Sequence, residues 1–156
     1  MTAIGVTGHQ RIPPEAMEYV VQGIREVVGT YMEVTGFTCL AAGADQIFAQ
    51  EVLDAGGSLV AVIPCTRYEQ TFDDEGLITF ESLKAQCIDV ITLDFPEPTE
   101  EAFMEAGKQV MDSSEMIVAI WDGQPALGLG GTGDAVDYAR NQGKPVEVIW
   151  PEGVMR

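Results

Sequence analysis

Positive charge is scarce in this chain. Of 156 residues only 8 are Lys or Arg, against 25 Asp and Glu, and the formal net charge is −17. DNA, RNA and anionic membranes reward basic patches, so neither a nucleic-acid partner nor a membrane partner is expected. Histidine is scarcer still, with His9 standing alone. Lacking a second histidine or a nearby cysteine, the sequence points to no zinc site, and no metal is assigned. Cys39, Cys65 and Cys87 are odd in number and widely spaced. They fit neither a metal-ligand pair nor a disulfide framework, which implies reduced thiols and a cytoplasmic location. No apolar run approaches the length of a membrane span. The chain opens on strand-like sequence instead of a basic region and a long apolar stretch, so no signal peptide is expected. Repeats, linkers and low-complexity segments are missing too. With 46% hydrophobic and 21% charged residues, the composition is that of one ordinary globular domain covering 1–156.

Glycine, by contrast, is plentiful and clustered. Gly128-Leu129-Gly130-Gly131-Thr132-Gly133-Asp134 follows an apolar run over 116–121 and opens a stretch with helical spacing over 135–142. A strand, a glycine-rich loop and a helix in that order make an anion site. Without Cβ atoms the backbone N–H groups can approach a ligand closely. The helix start adds unpaired N–H groups and partial positive charge. A small phosphate ligand is compatible with the acidic net charge, because local N–H groups and one or two cations suffice to hold it. Thr132 is placed as the cap of this helix, with its hydroxyl also offered to a phosphate.

The rest of the chain alternates between strand and helix patterns. Strands are predicted over 3–7, 37–41, 58–63, 90–93, 116–121 and 146–150. A first helix begins at Pro13-Pro14, where proline's missing N–H costs nothing, and Met17, Val20, Val21, Ile24, Val27 and Val28 give it an apolar face. A second follows Gly43-Ala44-Asp45 and buries Ile47, Phe48, Val52 and Leu53. The polar stretch over 65–76 reads as a loop, followed by a short helix over 77–85. Thr99 is the expected N-cap of a helix over 100–111. Short, continuously apolar strands belong to a sheet covered on both faces. The fold class is α/β: a doubly wound, mostly parallel sheet in a Rossmann-like three-layer α/β/α arrangement.

Such sheets bind ligands at the carboxyl ends of their strands, where the winding reverses. Four loops then share one edge. They carry Gly8, His9 and Arg11; Ala42, Gly43 and Asp45; Arg67 and Tyr68; and Asp122 through Gly128, Gly130, Gly131 and Thr132. Each has a plain structural alternative. His9 serves as a structural hydrogen-bonder or lines the pocket. Arg11 clamps a phosphate or pairs with a carboxylate. Asp45 and Asp134 are first-turn carboxylates or contacts to a ribose. Asp122-Gly123 is a turn that also falls at the pocket.

Gly5-Val6-Thr7-Gly8-His9-Gln10-Arg11, Ala42-Gly43-Ala44-Asp45 and Gly130-Gly131-Thr132-Gly133-Asp134, taken in order, resemble the SLOG superfamily. That group includes the Lonely Guy, DprA and YpsA-like proteins. The resemblance implies a Rossmann-like domain that binds nucleotides or nucleotide-derived ligands and that self-associates as a dimer or larger assembly. Lonely Guy enzymes hydrolyse nucleoside monophosphates to base and ribose 5-phosphate, using a Glu three residues after the Gly-Gly-x-Gly-Thr motif. Counted from Thr132, that place here is Ala135, and the carboxylate at hand is Asp134, one residue earlier and rotated by roughly 100° on a helix. The leading expectation is therefore a sensor or carrier of an AMP or ADP-ribose type of ligand, with no cofactor required beyond that bound nucleotide or phosphate. The alternatives are a phosphoribohydrolase with Asp134 and His9 as catalytic residues, and a structural oligomer without a ligand.

Overall fold

The computed structural model describes residues 1–125 and 131–155. Six strands form one sheet: β1 Thr2–Gly8, β2 Val34–Thr38, β3 Ser58–Ile63, β4 Asp89–Thr92, β5 Met116–Ile120 and β6 Val146–Val148. Their order is β4-β3-β2-β1-β5-β6, and every pairing is parallel. Among the described residues five α-helices connect them, α1 Pro14–Gly29, α2 Ala44–Asp54, α3 Asp74–Ala85, α4 Glu100–Asp112 and α5 Thr132–Asn141, with a short 3-10 turn at Tyr68–Thr71. The expected α/β architecture is the one observed. From β1 the chain steps outward through β2, β3 and β4, then crosses back to β5 and β6. Right-handed crossovers therefore put α1, α2 and α3 on one face and α4 and α5 on the other, and the helix contacts follow that division. The winding reverses between β1 and β5.

Parallel strands buried on both faces need apolar residues at every position. Accordingly Ile4, Leu59, Ala61, Val62, Ile117, Val118, Ala119 and Ile120 are fully buried. α1 seats itself through Ala16, Val20, Ile24 and Val28, a straight i, i+4 row. The expected face is thus corrected at Met17, which is exposed while the small Ala16 takes its place. α2 buries Phe48, Ala49 and Val52. Arg25 of α1 grips Glu51 of α2 with two bonds, Nε to Oε2 at 2.9 Å and Nη2 to Oε1 at 3.2 Å.

Three other expectations shift. β2 starts three residues earlier than predicted and stops at Thr38, because Leu40 turns into left-handed backbone with φ 56° and its N–H donates to the Thr38 hydroxyl at 3.0 Å. α3 starts at Asp74 instead of 77, since the Asp73 carboxylate accepts the Gly76 N–H at 2.7 Å and caps the helix. α5 starts at Thr132, so Thr132 is its first residue and Gly131 occupies the cap position, with no side chain capping the helix. Thr99 caps α4 as expected, accepting the Ala102 N–H at 3.1 Å.

Candidate ligand cleft

A cavity of about 440 Å³ opens at the carboxyl edge of the sheet. Its base is the end of β1, Thr7 and Gly8. Cys39 and Asp45 stand on the β2–α2 side, Tyr68 on the segment after β3, Phe103 and Gly107 on α4, and Gly131, Thr132 and Ala135 at the start of α5. It therefore sits at the reversal of winding, where open parallel sheets receive ligands. The N-terminal ends of α2 and α5, from opposite layers, both contribute to its wall, and helix starts offer N–H groups and partial positive charge to an anion. Among the described residues the wall carries no lysine or arginine.

Two glycines are required by close packing. A Cβ on Gly8 would lie 2.4 Å from the Ala44 Cβ and 2.8 Å from the Ile120 Cβ. Gly8 is what lets α2 begin directly against the end of β1. Gly43 has φ 80°, and a Cβ there would sit 2.3 Å from the Gln10 carbonyl oxygen. Only glycine fits both demands. Gly43 thus shapes the cavity from behind, while Gly8 lines it.

His9 knits three elements together. Its N–H donates to the Ile120 carbonyl and its carbonyl accepts the Ala44 N–H, at 3.1 and 3.0 Å. Its buried ring meets Trp150 edge-on at 5.3 Å. Nε2 accepts the Asp122 backbone N–H at 3.1 Å and stands 3.3 Å from Asp122 Oδ1. Asp122 Oδ1 also accepts the Gln124 N–H at 3.0 Å. So His9 is both a cavity wall and a structural joint, with Asp122 beside it.

Asp45 is the most perturbed carboxyl at the cavity. Its Oδ2 accepts the Cys39 N–H at 3.1 Å and the Thr38 hydroxyl at 3.3 Å. Burial pushes its pKa up to about 7, while these bonds and one from the Ala41 backbone pull it down. It is thus a group that exchanges a proton near neutrality. Burial also pushes the Cys39 thiol well above its ordinary range, with the nearby Asp45 adding to the effect. Cys39 is therefore a neutral thiol and not a ready nucleophile.

The remaining predicted residues fall elsewhere. Arg11 is exposed and outside the cavity wall. Arg67 is exposed and pairs with Glu97 at 3.3 Å. Asp134 is exposed and lines a separate, smaller slot between α4 and α5, with Lys108 and Tyr138. Ala135, one residue on, faces the main cavity. Gly128 and Gly130 lie outside the described residues. Sequence reasoning placed Tyr68 beside Arg67 in a loop at this edge without counting it among the binding residues, and the structure puts it on the cavity wall, in a short 3-10 turn over Tyr68–Thr71. Its signal was the spacing Tyr68, Phe72, Phe80, an aromatic series that packs together. Among the described residues, no group of three His, Cys, Asp or Glu is placed to hold a metal. No described helix is long and apolar enough to cross a membrane.

This fold and cleft define a Rossmann-like α/β domain with its ligand edge at the winding reversal. The chain is similar to DNA processing protein A of Helicobacter pylori, described for its single-stranded DNA binding mode (TM-score 0.70, 17% identity, 94% of this chain and 64% of that one). It is similar to DNA processing protein A of Streptococcus pneumoniae (TM-score 0.71, 15% identity, 99% and 52%). It is also similar to the molybdenum cofactor binding protein of Rippkaea orientalis (TM-score 0.60, 17% identity, 94% and 75%). Their Rossmann-like fold is in keeping with the fold read from the sequence. At these identities the likeness is one of fold. The chain spans between half and two thirds of the length of the two DNA processing proteins. No family model matches the chain, and no curated protein sequence matches it either.

One expectation is corrected by these neighbours. Net charge argues against nucleic acid, yet a protein of this fold binds single-stranded DNA. The physical reason is local: phosphate is held by oriented N–H groups and a few side chains at a cleft, and the overall charge of −17 does not decide what happens there.

Proposed function

We propose that the cavity binds a small phosphate-bearing ligand of the nucleotide kind, in the size range of AMP or ADP-ribose, and that the domain acts as its sensor or carrier. The observation that carries this reading is the convergence of two helix starts, those of α2 and α5, on one cavity at the carboxyl end of β1. Gly131 and Thr132 bring the backbone of α5 to the cavity rim, and Thr7 and Thr132 add hydroxyls. The ligand's phosphate sits at the start of α5, because at the start of α2 the Ala44 and Gln46 N–H groups already donate to the His9 and Ala41 carbonyls.

One observation supports a second, hydrolytic reading. Asp45, with a pKa about 7, has the acidity of a general acid or base at neutral pH. In that reading AMP yields free base and ribose 5-phosphate, and Asp45→Asn abolishes release while Asp134→Asn leaves it intact.

A thermal-shift panel of inorganic phosphate, ribose 5-phosphate, AMP, ADP-ribose and a short single-stranded oligonucleotide tests the proposal. A small ligand at 100 times its Kd adds about 2.7 kcal/mol, which raises the melting temperature by several degrees. The proposal expects such a rise with at least one small phosphate compound. A response to the oligonucleotide alone, or to nothing, rejects it.

A further inference from the structure

Tyr68 is 3% exposed, and three aromatic rings enclose its own. Phe72, Phe80 and Phe103 approach it with centroid distances of 5.1, 5.5 and 6.2 Å. The segment that carries it is tied down. The Thr71 hydroxyl donates to the Tyr68 carbonyl at 2.7 Å. Thr66 just before it donates from N–H to the Phe95 carbonyl at 3.0 Å and from Oγ1 to the Pro96 carbonyl at 3.2 Å. The Tyr68 hydroxyl itself has no hydrogen-bond partner among the described residues. Yet no fully buried side-chain oxygen among those residues lacks a partner. The Tyr68 hydroxyl is therefore not fully buried, and the residue lines the cavity. A phenol wrapped in aromatic rings takes its hydrogen bond from what reaches it there, water or a ligand.

We infer that Tyr68 is a ligand-recognition residue, its hydroxyl hydrogen-bonding the ribose of a phosphorylated ligand at the cavity wall it shares with Asp45. The inference rests on the phosphate-ligand reading above and names the part of the ligand away from its phosphate. A sugar hydroxyl both donates and accepts, which matches a phenol hydroxyl beside a carboxyl group. Stacking of a base does not fit this position, because Phe72, Phe80 and Phe103 already crowd the Tyr68 ring. Burial keeps the phenol protonated, and nearby Cys39, Asp45 and Cys65 act in the same direction. So it stays a neutral donor throughout the physiological range.

The test is calorimetric titration of the wild-type protein and the Tyr68→Phe variant with inorganic phosphate, ribose 5-phosphate and AMP. The variant keeps the ring and all its packing, so its melting temperature without ligand stays that of the wild type. The expected result is an unchanged Kd for inorganic phosphate and a Kd raised about tenfold for ribose 5-phosphate and AMP, the worth of one hydrogen bond. Equal affinities of the two proteins for the sugar phosphates overturn the inference and leave the phosphate site standing. So does a wild type that binds phosphate but neither sugar compound. A lowered melting temperature with equal loss for all three ligands also overturns it, by making the hydroxyl a structural group. A wild type that binds none of the three removes both readings together.

Discussion

Two concavities on this molecule differ in what lines them. The cleft at the carboxyl edge has a volume of about 440 Å³, and its wall mixes hydroxyls, a thiol, aromatic rings and the starts of two helices. The groove between α1 and β6 is larger, about 720 Å³, and is lined by Glu15, Glu18, Glu26 and Glu147. Among the described residues the groove wall carries four glutamates and the cleft wall one acidic residue, Asp45, so an anion is disfavoured at the groove. Size alone therefore does not mark the site. What distinguishes the cleft is that the starts of α2 and α5 both line it at the point where the winding reverses. The net charge of −17 lies partly in places such as the groove, away from the cleft, which makes it a poor guide to partners.

The largest effect belongs to the packing that makes the cleft. Gly43→Ala places a Cβ against the Gln10 carbonyl on left-handed backbone, and we expect a loss of about 3 kcal/mol or more in denaturant unfolding. A contrasting change away from the cleft, Gly29→Ala at the end of α1 with open space around it, should be neutral or stabilising by about 0.5 to 1 kcal/mol.

Next in size is a pH effect confined to the cleft. Asp45 is raised from 3.8 to about 7 in the folded state, so between about pH 4 and 7 the folded protein holds a proton that the unfolded chain has released. That contribution is fully present below about pH 4 and is lost as pH rises through about 7. Across this window the wild type should lose stability relative to Asp45→Asn, by at most about 1.4 kcal/mol for each step of one in pH. The comparison is made by urea unfolding at pH 4.5, 6 and 7.5. The same curve from both proteins would contradict it.

A smaller effect is expected on binding alone. Gly131 has ordinary extended backbone, φ −73° and ψ 174°, which any residue adopts. Gly131→Asp should therefore leave unfolding within about 0.5 kcal/mol and weaken phosphate or AMP at least about tenfold by titration. The smallest effect falls in the groove. Glu18→Gln with Glu147→Gln removes two exposed like charges and should change stability by a few tenths of a kcal/mol and phosphate affinity hardly at all.

The same contrast governs how much could be read in advance. The sheet was legible because its strands are short apolar runs, and 58–63 coincides with β3. Boundaries failed where a side chain outvotes the pattern: Thr38 serves Asp45 and Leu40 and closes β2 early, and Asp73 starts α3 ahead of its apolar stretch. At the cleft, Gly8 and Asp45 were legible from loop motifs beside predicted strands. Tyr68 was legible as an edge-loop residue but not as part of the wall, because its contact with Phe103 brings the segment after β3 onto α4, and that pairing is long-range. Arg11 and Arg67 were named for their charge, and both point to solvent. Local sequence marks backbone that must bend, whereas it says little about which distant side chains share a wall.

The most direct test is amide chemical-shift mapping of the labelled protein titrated with AMP. The account predicts that the perturbed amides cluster at Gly8, Ala44, Asp45, Tyr68, Gly131 and Thr132, with Glu18, Glu26 and Glu147 unmoved. Perturbations centred on the α1–β6 groove, or none at millimolar AMP, would contradict it.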